Sequence, residues 1–489
     1  MTSAQTTDQT AEPVQAPEQE AVAWSLSARS FEFSAPLAVM PPIGALVTLT
    51  TGGGEEFLGQ IVETGDVERT ASAAGGARVS GRGTLVAQRT GAELTPVGPY
   101  AVLADSTMRV AEPAVVREWQ DASGRGRTVL PLGSLAHPAS ESAQLTAAGF
   151  NRHTFLCGQS GSGKTYALGV VLEQLLLNTR LKIVVLDPNS DYVHLDSLAG
   201  EPGAGGPIGP IAVFRTTGAH RLKIRYGRLP FRQQALVVAL DPIRDADEYD
   251  LLRRLAEETG TTEYSLREMR ARAGAVTGAD EEVARRLVLR IDNLGVADWS
   301  IWANAEETPL MSQLPDDWRA AVIDLGDLPT SEERSAVVAS ILAGLWMRRV
   351  DKEPILVVVD EAHNVCPQEP TDAHQALAIE HAQRIAAEGR KYGLYLLLST
   401  QSPRKLHQNV LTQCENLLLM KMNSAPDVAR VADVFSHVPA GLISQATGFA
   451  LGEGLAAGRI SPVPQLFHSG KRVSPEGGAD IPTTWADPV

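Results

Sequence analysis

The apolar and polar residues of this chain follow two different rhythms. Between about residues 24 and 113, short runs that alternate between apolar and polar residues are broken by glycines. This spacing is typical of hairpins and predicts a small N-terminal β-barrel. Beyond residue 145, short continuous apolar runs alternate with stretches of helical periodicity. That βαβ pattern predicts a parallel sheet covered by helices, and therefore an α/β fold.

The second region divides into individual elements. Residues 232–302 repeat apolar positions at helical spacing among many charges, which predicts an inserted helical bundle. The predicted strands cover 154–157, 182–186, 321–325, 355–359, 394–399 and 416–420, and the predicted helices cover 165–178, 331–350 and 374–392.

The predicted domain boundaries follow from these changes of pattern. Residues 1–23 carry four acids, no basic residue and little apolar mass, which predicts a disordered acidic tail. The other predicted segments are the barrel at 24–113, a connector at 114–144, the motor at 145–231 and 306–465, the helical insert at 232–305, and an extended tail at 466–489.

Composition narrows the class of protein. In 489 residues, 44% apolar and 21% charged side chains are ordinary for a soluble protein of two to four domains. The chain has no run of about 18 apolar residues and no basic, apolar start, so we predict neither a membrane span nor a secretory signal. Three widely spaced cysteines indicate a reducing compartment. We therefore predict a cytoplasmic protein.

The charge distribution leaves two interpretations open. The net charge of -15 disfavours general nucleic-acid binding. Between residues 381 and 422, however, six basic residues accompany only two glutamates. Such a stretch either guides DNA through a channel or is a solvated face.

A glycine-rich loop lies between the strand predicted at 154–157 and the helix predicted at 165–178. It matches the Walker A pattern in full, with Gly158, Gln159, Ser160, Gly161, Ser162, Gly163, Lys164 and Thr165. Glycines let backbone N–H groups turn toward phosphates, and the following helix adds the positive end of its dipole. We therefore predict that the loop binds ATP, with Lys164 on the β- and γ-phosphates and Thr165 as a Mg²⁺ ligand.

A second motif supplies carboxylates. The apolar strand at 355–359 ends in Asp360 and Glu361, which is the Walker B pattern. A carboxylate at the end of a buried strand can hold the water shell of Mg²⁺, and its neighbour can orient the attacking water as general base. Asp360 is therefore the predicted metal ligand, and Glu361 is the predicted catalytic base.

Three further candidates accompany these motifs. Gln401 follows the strand at 394–399, where its amide either senses the γ-phosphate or bonds to a loop. Arg390 precedes the same strand and is either an arginine finger, which ring ATPases supply from the neighbouring subunit, or a surface charge. The acids of segment 187–192, which closes the strand at 182–186, either support the metal and water or form a turn.

Together these motifs resemble the HerA-type branch of the HerA/FtsK ATPases. The resemblance covers residues 24–470 and includes the order of the motifs, the barrel and the long helical insert. Besides the Walker A loop, the segments that carry it are Leu186-Asp187-Pro188-Asn189-Ser190-Asp191-Tyr192, Val359-Asp360-Glu361-Ala362-His363-Asn364, Glu388-Gly389-Arg390-Lys391-Tyr392-Gly393 and Ser399-Thr400-Gln401-Ser402-Pro403.

The resemblance implies a RecA-like motor that forms a hexameric ring around duplex DNA in a central channel. ATP would bind at subunit interfaces, and the ring would translocate along or unwind DNA beside a nuclease or other effector. The sequence departs from the usual pattern of the family in two motifs. Asn189, Ser190 and Asp191 stand where the family usually has His, Gly and Glu, and Ser402 stands where it usually has Arg.

Other classes of protein fit the motifs less completely. An ATPase that serves as scaffold or switch subunit of an antiviral defence complex fits the acidic charge slightly better. A membrane-bound conjugation or chromosome pump would need a transmembrane segment, and none is predicted. A subunit of a rotary ATP synthase would lack the segments around Asp360 and Arg390.

Overall fold

The structure of the protein is a computed structural model that describes residues 20–69, 77–98 and 101–478. The chain forms two compact units that divide in sequence after Ser123, and a short segment at 440–442 belongs to the first unit. The predicted tail at 1–23 lies outside the described residues up to residue 19. Its last three residues belong to the first strand.

A closed antiparallel barrel forms the first unit, as predicted from the alternating pattern. Its strands are β1 (Ala21–Ser27), β2 (Ser30–Pro36), β3 (Leu46–Thr51), β4 (Glu56–Arg69), β5 (Ala77–Thr90), β6 (Glu93–Pro96) and β7 (Ser106–Val110). The order β2-β1-β7-β3-β4-β5 closes because β2 also pairs with β5, while β6 adds to β5 outside the ring. Alternate residues point inward, and the buried interior includes Phe31, Phe33, Val47, Leu49 and Ile61.

A twelve-stranded sheet organises the second unit. The strands of this unit are β8 (Val129–Leu135), β9 (Ser142–Thr146), β10 (His153–Cys157), β11 (Lys182–Asp187), β12 (Pro202–Gly203), β13 (Gly206–Pro207), β14 (Ile211–Arg215), β15 (His220–Arg221), β16 (Ala320–Asp324), β17 (Ile355–Val359), β18 (Leu394–Thr400), β19 (Cys414–Met420), β20 (Glu453–Ala457) and β21 (Gln465–Ser469). The sheet order is β15-β14-β16-β11-β17-β18-β10-β19-β20-β21-β8-β9, and β12 pairs only with β13.

The sheet changes character at β19. From β15 to β19 neighbouring strands are parallel, whereas β20, β21, β8 and β9 add in antiparallel order. Every residue of β10, β16 and β17 is buried. Because helices cover both faces of a parallel sheet, such strands are continuous apolar runs, and this is why their positions could be predicted.

Helices connect these strands. Their bounds are α1 (Pro113–Gly124), α2 (Lys164–Asn178), α3 (Phe231–Val237), α4 (Ala246–Glu258), α5 (Leu266–Gly274), α6 (Glu281–Leu294), α7 (Ser331–Met347), α8 (Ala362–Val365), α9 (Ala373–Glu388), α10 (Gln408–Leu411), α11 (Ala425–Val434) and α12 (Ala440–Ser444). The helices α3 to α6 lie where the helical insert is predicted, and α5 begins with a capping box between Ser265 and Glu268. Among the helices of the described ranges, none combines the length and apolarity of a membrane span.

Two segments differ from their sequence-based description. The predicted connector at 114–144 contains α1 and β8, and the predicted tail at 466–489 begins with β21. These two strands pair with each other, with Phe467 opposite Leu135. More than three hundred residues separate the partners, so no local pattern could indicate that they would add to the sheet.

Candidate nucleotide-binding site

Four parallel strands bring the predicted motifs to one edge of the sheet. The strands β11, β17, β18 and β10 are neighbours in that order, and all run in the same direction. The glycine-rich loop follows β10, the acids Asp360 and Glu361 follow β17, and Gln401 follows β18. Ligand sites of open α/β sheets lie at the carboxyl ends of such strands.

The loop at 158–165 has a backbone that only glycine adopts readily. Gly161 and Gly163 have φ angles of 72° and 85°, in the left-handed region that a Cβ disfavours. A Cβ on Gly158 would lie 2.6 Å from Met420 Cβ. The loop therefore requires glycine at these three positions, which is the physical content of the Walker A pattern.

The other residues of the loop have distinct environments. Gln159 accepts a hydrogen bond from the backbone N–H of Asn423 at 3.0 Å. Ser160 is exposed, Ser162 is fully buried, and Thr165 is half-buried on the first turn of α2. The Ser162 hydroxyl has no hydrogen-bond partner among the described residues.

Lys164 lies at the centre of a buried polar cluster. Its Nζ donates to Glu361 Oε1 at 2.8 Å, to Asp360 Oδ1 at 3.0 Å and to Ser399 Oγ at 3.0 Å. The side chains of the lysine and both acids are at most 7% exposed. Lys164 and the acids are therefore brought together as predicted, while Ser399 was not selected from the sequence although it lies in a quoted motif.

The charges in this cluster stabilise one another. Burial lowers the pKa of Lys164, but the charges of Asp360 and Glu361 outweigh burial and raise it. Burial alone would raise the pKa of Glu361. A hydrogen bond from His363 and the charge of Lys164 outweigh that effect and lower this pKa to about 2. The lysine is therefore held protonated, and Glu361 is held ionised.

Gln401 hydrogen-bonds to the Glu361 carboxylate, and His363 lies beside it. Gln401 Nε2 donates to Glu361 Oε1 at 2.8 Å, and His363 Nδ1 lies 3.2 Å from Oε2. Glu361 itself has a φ angle of 43°, which is strained for a residue with a Cβ. The Gln401 amide thus contacts the predicted base directly. His363 is not among the residues predicted for the site, although its position two residues from Glu361 could have indicated this proximity.

The segment at 187–192 joins the site from β11. Asp187 accepts backbone N–H groups of Asn189, Asp191 and Tyr192 at 2.9–3.3 Å, so this acid forms the turn. The Tyr192 hydroxyl lies 3.4 Å from Asp360 Oδ2. Burial and the nearby charge of Asp360 raise the pKa of Asp191 to about 6. Asp187 therefore forms the turn, which is one of the two alternatives for this segment. Asp191 lies close enough to the site for the charge of Asp360 to raise its pKa.

Arg390 lies at the opposite edge of the sheet. It belongs to a single 3-10 turn at Gly389–Tyr392 immediately before β18, whereas Gln401 follows β18. The seven residues of β18 span roughly 20 Å. Arg390 therefore does not reach the P-loop of its own chain, and its Nη1 instead donates to Glu415 Oε1 at 2.8 Å.

The predicted basic stretch at 381–422 is partly neutralised. Arg384, Arg390 and Arg404 form ion pairs with Glu380, Glu415 and Asp427. Lys391 and Lys405 are exposed. The stretch is therefore less basic than its sequence indicates, and its remaining positive charge comes mainly from lysines.

The residues of the site fit a nucleotide with Mg²⁺. The conformation of the loop is one that turns amide groups toward phosphates, and Gly158 leaves no room for a Cβ. Two buried carboxylates oppose one lysine, which leaves negative charge to be balanced by a cation. Carboxylate and hydroxyl oxygens are ligands that Mg²⁺ prefers, usually together with phosphate oxygens of a substrate.

Comparisons with known proteins agree with the fold. Residues 130–345 match a family model described as "Helicase HerA, central domain". The probable helicase MJ1565 of Methanocaldococcus jannaschii is 32% identical over 130 residues, which are 26% of this chain and 24% of that protein. The DNA double-strand break repair helicase HerA of Pyrococcus furiosus is 23% identical over 368 residues, which are 65% of this chain and 64% of that protein.

A solved structure provides an independent comparison. VirB4 of Thermoanaerobacter pseudethanolicus superposes with a TM-score of 0.52 at 16% identity, and the match covers 71% of this chain and 97% of that one. At this identity the likeness shows the fold alone. The chain matches about a quarter of the length of the first curated relative and just under two thirds of the second.

Fold and site together define a P-loop ATPase with a parallel α/β motor domain. The match of residues 130–345 to the HerA central domain, together with the curated relatives, makes this chain similar to the HerA-type ATPases. The resemblance predicted from the motifs is confirmed.

Proposed function

We propose that this protein hydrolyses ATP to drive movement along DNA, as a translocase or helicase motor of HerA type. The observation that carries the proposal is the buried cluster of Lys164, Asp360, Glu361 and Gln401 at one sheet edge. An ion pair retained only for stability would not need a glycine-rich loop and a glutamine directed at the same carboxylate. The name of the Pyrococcus furiosus relative, a DNA double-strand break repair helicase, supports DNA as the substrate.

The residues take the following roles in this proposal. The amides of 158–165 and Lys164 bind the triphosphate, and Thr165 and Asp360 hold the cation with its water shell. Bound Mg²⁺ would neutralise the charge on the phosphate oxygens. Glu361 orients the attacking water and accepts its proton, and Gln401 keeps the carboxylate oriented toward that water. Because Lys164 lowers the pKa of Glu361, transfer of the lysine to phosphate makes Glu361 a stronger base.

Subunit assembly completes the proposed site. Arg390 lies about one strand length from the P-loop of its own chain, so a finger role requires that it serve a neighbouring subunit. A closed ring, hexameric by analogy with the family, gives each P-loop such a neighbour. The exposed Lys391 and Lys405 are candidates for contacts with DNA in the channel. A nuclease or other effector is the proposed partner, and the cytoplasm is the proposed location.

The rate of ATP hydrolysis with and without duplex DNA tests the proposal. We expect DNA to stimulate turnover at low salt, and we expect the stimulation to fall steeply with added salt because phosphate contacts release counterions. Lys164→Ala provides the blank for contaminating ATPases. ATP hydrolysis without any DNA stimulation or salt-sensitive DNA binding would contradict the DNA motor and favour the scaffold or switch subunit of a defence complex. The absence of hydrolysis would contradict both.

A further inference from the structure

A buried arginine from the C-terminal segment packs beside the nucleotide-binding site. We call residues 470–478, which follow β21, the strap. The Arg472 side chain is 2% exposed, and Glu173 of helix α2 beneath it is fully buried. Lysine, arginine and glutamate are almost never fully buried unless they are paired. Two such residues beside the P-loop helix therefore need a physical account, and the motifs of the site do not include either one.

Glu173 anchors the strap to the P-loop helix. Its carboxylate accepts the backbone N–H groups of Val473 and Ser474, both at 2.7 Å, and the Ser474 hydroxyl at 2.6 Å. The backbone N–H of Arg472 donates to the Tyr166 hydroxyl at 2.8 Å. Charge-assisted hydrogen bonds of this kind are stronger than neutral ones. The strap is therefore fixed along α2, the helix that begins at Lys164.

Arg472 links the strap to the loop at 187–192. Its guanidinium lies 5.6 Å from the centre of the Tyr192 ring, and its Nη2 donates to the Asp191 carbonyl at 3.2 Å. The backbone N–H of Gly477 donates to the same carbonyl at 3.1 Å. Two donors of the strap thus bind the Asp191 carbonyl, and the Arg472 guanidinium packs over the ring of Tyr192.

Helix α2 makes room for this contact. A Cβ on Gly169 would lie 2.6 Å from Arg472 Nε, so the guanidinium occupies the space that a side chain would take. Gly169 is five residues after Lys164, a rise of about 7–8 Å along the helix. Arg472 therefore lies between the P-loop helix and the loop that carries Tyr192.

The loop held by Arg472 reaches the site through two side chains. The Tyr192 hydroxyl lies 3.4 Å from Asp360 Oδ2. The Asp191 carboxylate interacts electrostatically with Asp360, Lys164 and Arg472. A displacement of the loop would therefore change the surroundings of the predicted metal ligand without touching the glycine-rich loop.

We propose that Arg472 is a positioning residue for ATP hydrolysis, which holds the loop at 187–192 so that the Tyr192 hydroxyl contacts Asp360. This inference rests on the proposed hydrolysis of ATP by the site. Because the glycine-rich loop and Lys164 are untouched, loss of the guanidinium lowers kcat and leaves ATP binding nearly unchanged. A shift of about an ångström at a reacting centre can cost up to a hundredfold in rate. We therefore expect a fall in kcat of about 10- to 100-fold.

The full chain is tested with Arg472→Gln, Arg472→Lys and the matched control Lys471→Gln, which removes a positive charge from an exposed neighbour on the same strap. Arg472→Gln should lower kcat per folded site with KM for ATP changed less than about twofold. Arg472→Lys, which keeps the charge and loses the planar group, should recover part of the rate. Lys471→Gln should match the wild type. A normal kcat for Arg472→Gln, or equal losses in both glutamine variants, would overturn the proposal.

A double-mutant cycle separates positioning from general destabilisation. If Arg472 acts through Tyr192, Arg472→Gln should lower kcat much less in a Tyr192→Phe background than in the wild type, whereas independent effects would multiply and overturn the proposal. If Arg472→Gln fails to fold, Ser474→Ala replaces it, because this variant loosens the anchor of the strap on Glu173. Ser474→Ala should lower kcat at constant KM. An unchanged kcat in Ser474→Ala would overturn the proposal. Failure of the wild type and of Lys471→Gln to hydrolyse ATP would overturn the proposed function together with this inference. If the wild type and Lys471→Gln hydrolyse ATP and only the effect of Arg472→Gln is absent, this inference fails and the proposed function stands.

Discussion

Lys164 Nζ lies 2.8 Å from Glu361 Oε1 in the protein interior, although 197 residues separate the two in the chain. Strand β18 lies between the strands that carry them, so the lysine reaches across one strand to the acids. Removing one member of a buried ion pair leaves the other as an uncompensated charge. The pair therefore links the stability of the unliganded protein to the residues proposed for catalysis.

Replacing Lys164 should affect both stability and function. Lys164→Ala leaves Asp360 and Glu361 without their counter-ion, so we expect a loss of unfolding free energy of about 3–5 kcal/mol by the general cost of breaking a buried pair. ATP hydrolysis should fall to the background rate. Denaturant unfolding and phosphate release measure the two effects, with the exposed Lys471→Ala as control. Wild-type turnover in Lys164→Ala would contradict the assignment of the site.

Replacing Glu361 should separate chemistry from binding. Glu361→Gln retains an oxygen that can accept from Lys164 and Gln401 but removes the base, so kcat should fall by about 10²–10⁴-fold. Affinity for ATP should remain close to that of the wild type. Single-turnover hydrolysis and titration with a fluorescent ATP analogue measure these quantities. A parallel loss of binding would indicate that Glu361 holds the nucleotide and is not the base.

Gln401 should act through Glu361. Its hydrogen bond helps to lower the pKa of that carboxyl group, so Gln401→Ala should raise this pKa and release the carboxylate from its orientation. We expect kcat to fall about tenfold, as for a lost orienting contact. Steady-state kinetics of Gln401→Ala and of Gln413→Ala, an exposed glutamine further along the chain, provide the comparison. Equal rates in both variants would assign Gln401 a structural role.

The finger role of Arg390 can be tested by mixing inactive subunits. Arg390→Ala and Lys164→Ala should each abolish turnover in homogeneous assemblies. In a mixture, an intact Arg390 from one subunit can face an intact Lys164 of the next, so part of the activity should return. The measurement is ATPase rate against mixing ratio, with the exposed Arg244→Ala as an active control. An Arg390→Ala protein that remains fully active, or a mixture that gains nothing, would contradict a contribution from the neighbour.

Mild acid should destabilise the protein through His153. The Nδ1 of this ring accepts from the backbone N–H of Leu396 at 2.9 Å, and Nε2 donates to the Ala386 carbonyl at 3.0 Å. Burial of the neutral ring lowers its pKa from 6.5 to about 4. The folded protein favours the neutral ring, so His153 contributes its full stabilisation above its pKa in the unfolded chain, about 6.5. This stabilisation is lost as the pH falls from about 6.5 toward 4.

Linkage gives the size of that loss. Between pH 7.5 and pH 5 it amounts to about 2 kcal/mol of unfolding free energy. Urea unfolding of the wild type, of His153→Leu and of the exposed control His437→Gln measures it. His153→Leu should be less stable at pH 7.5 and lose less on acidification than the other two. Equal losses in all three would show that other groups determine the acid response.

The sequence by itself determined which residues are candidates for the site and most of the elements that carry them. Fully buried parallel strands are continuous apolar runs, so the strand Ile355–Val359 has the bounds predicted for it. The glycines of the loop and the paired acids after that strand are local signals, because each is required by its immediate backbone or by its ligand. The barrel was likewise visible as an alternation with a period of two residues.

Only the tertiary structure decided which distant segments meet. It brought β21 to β8 at the antiparallel end of the sheet, and it separated Arg390 from its own P-loop by the length of β18. It also buried Arg472 beside Tyr192, which nothing in the glycine- and proline-rich end of the chain had indicated. Pairing over hundreds of residues depends on the packing of complete surfaces, whereas periodicity and motifs record only the neighbours of each residue along the chain.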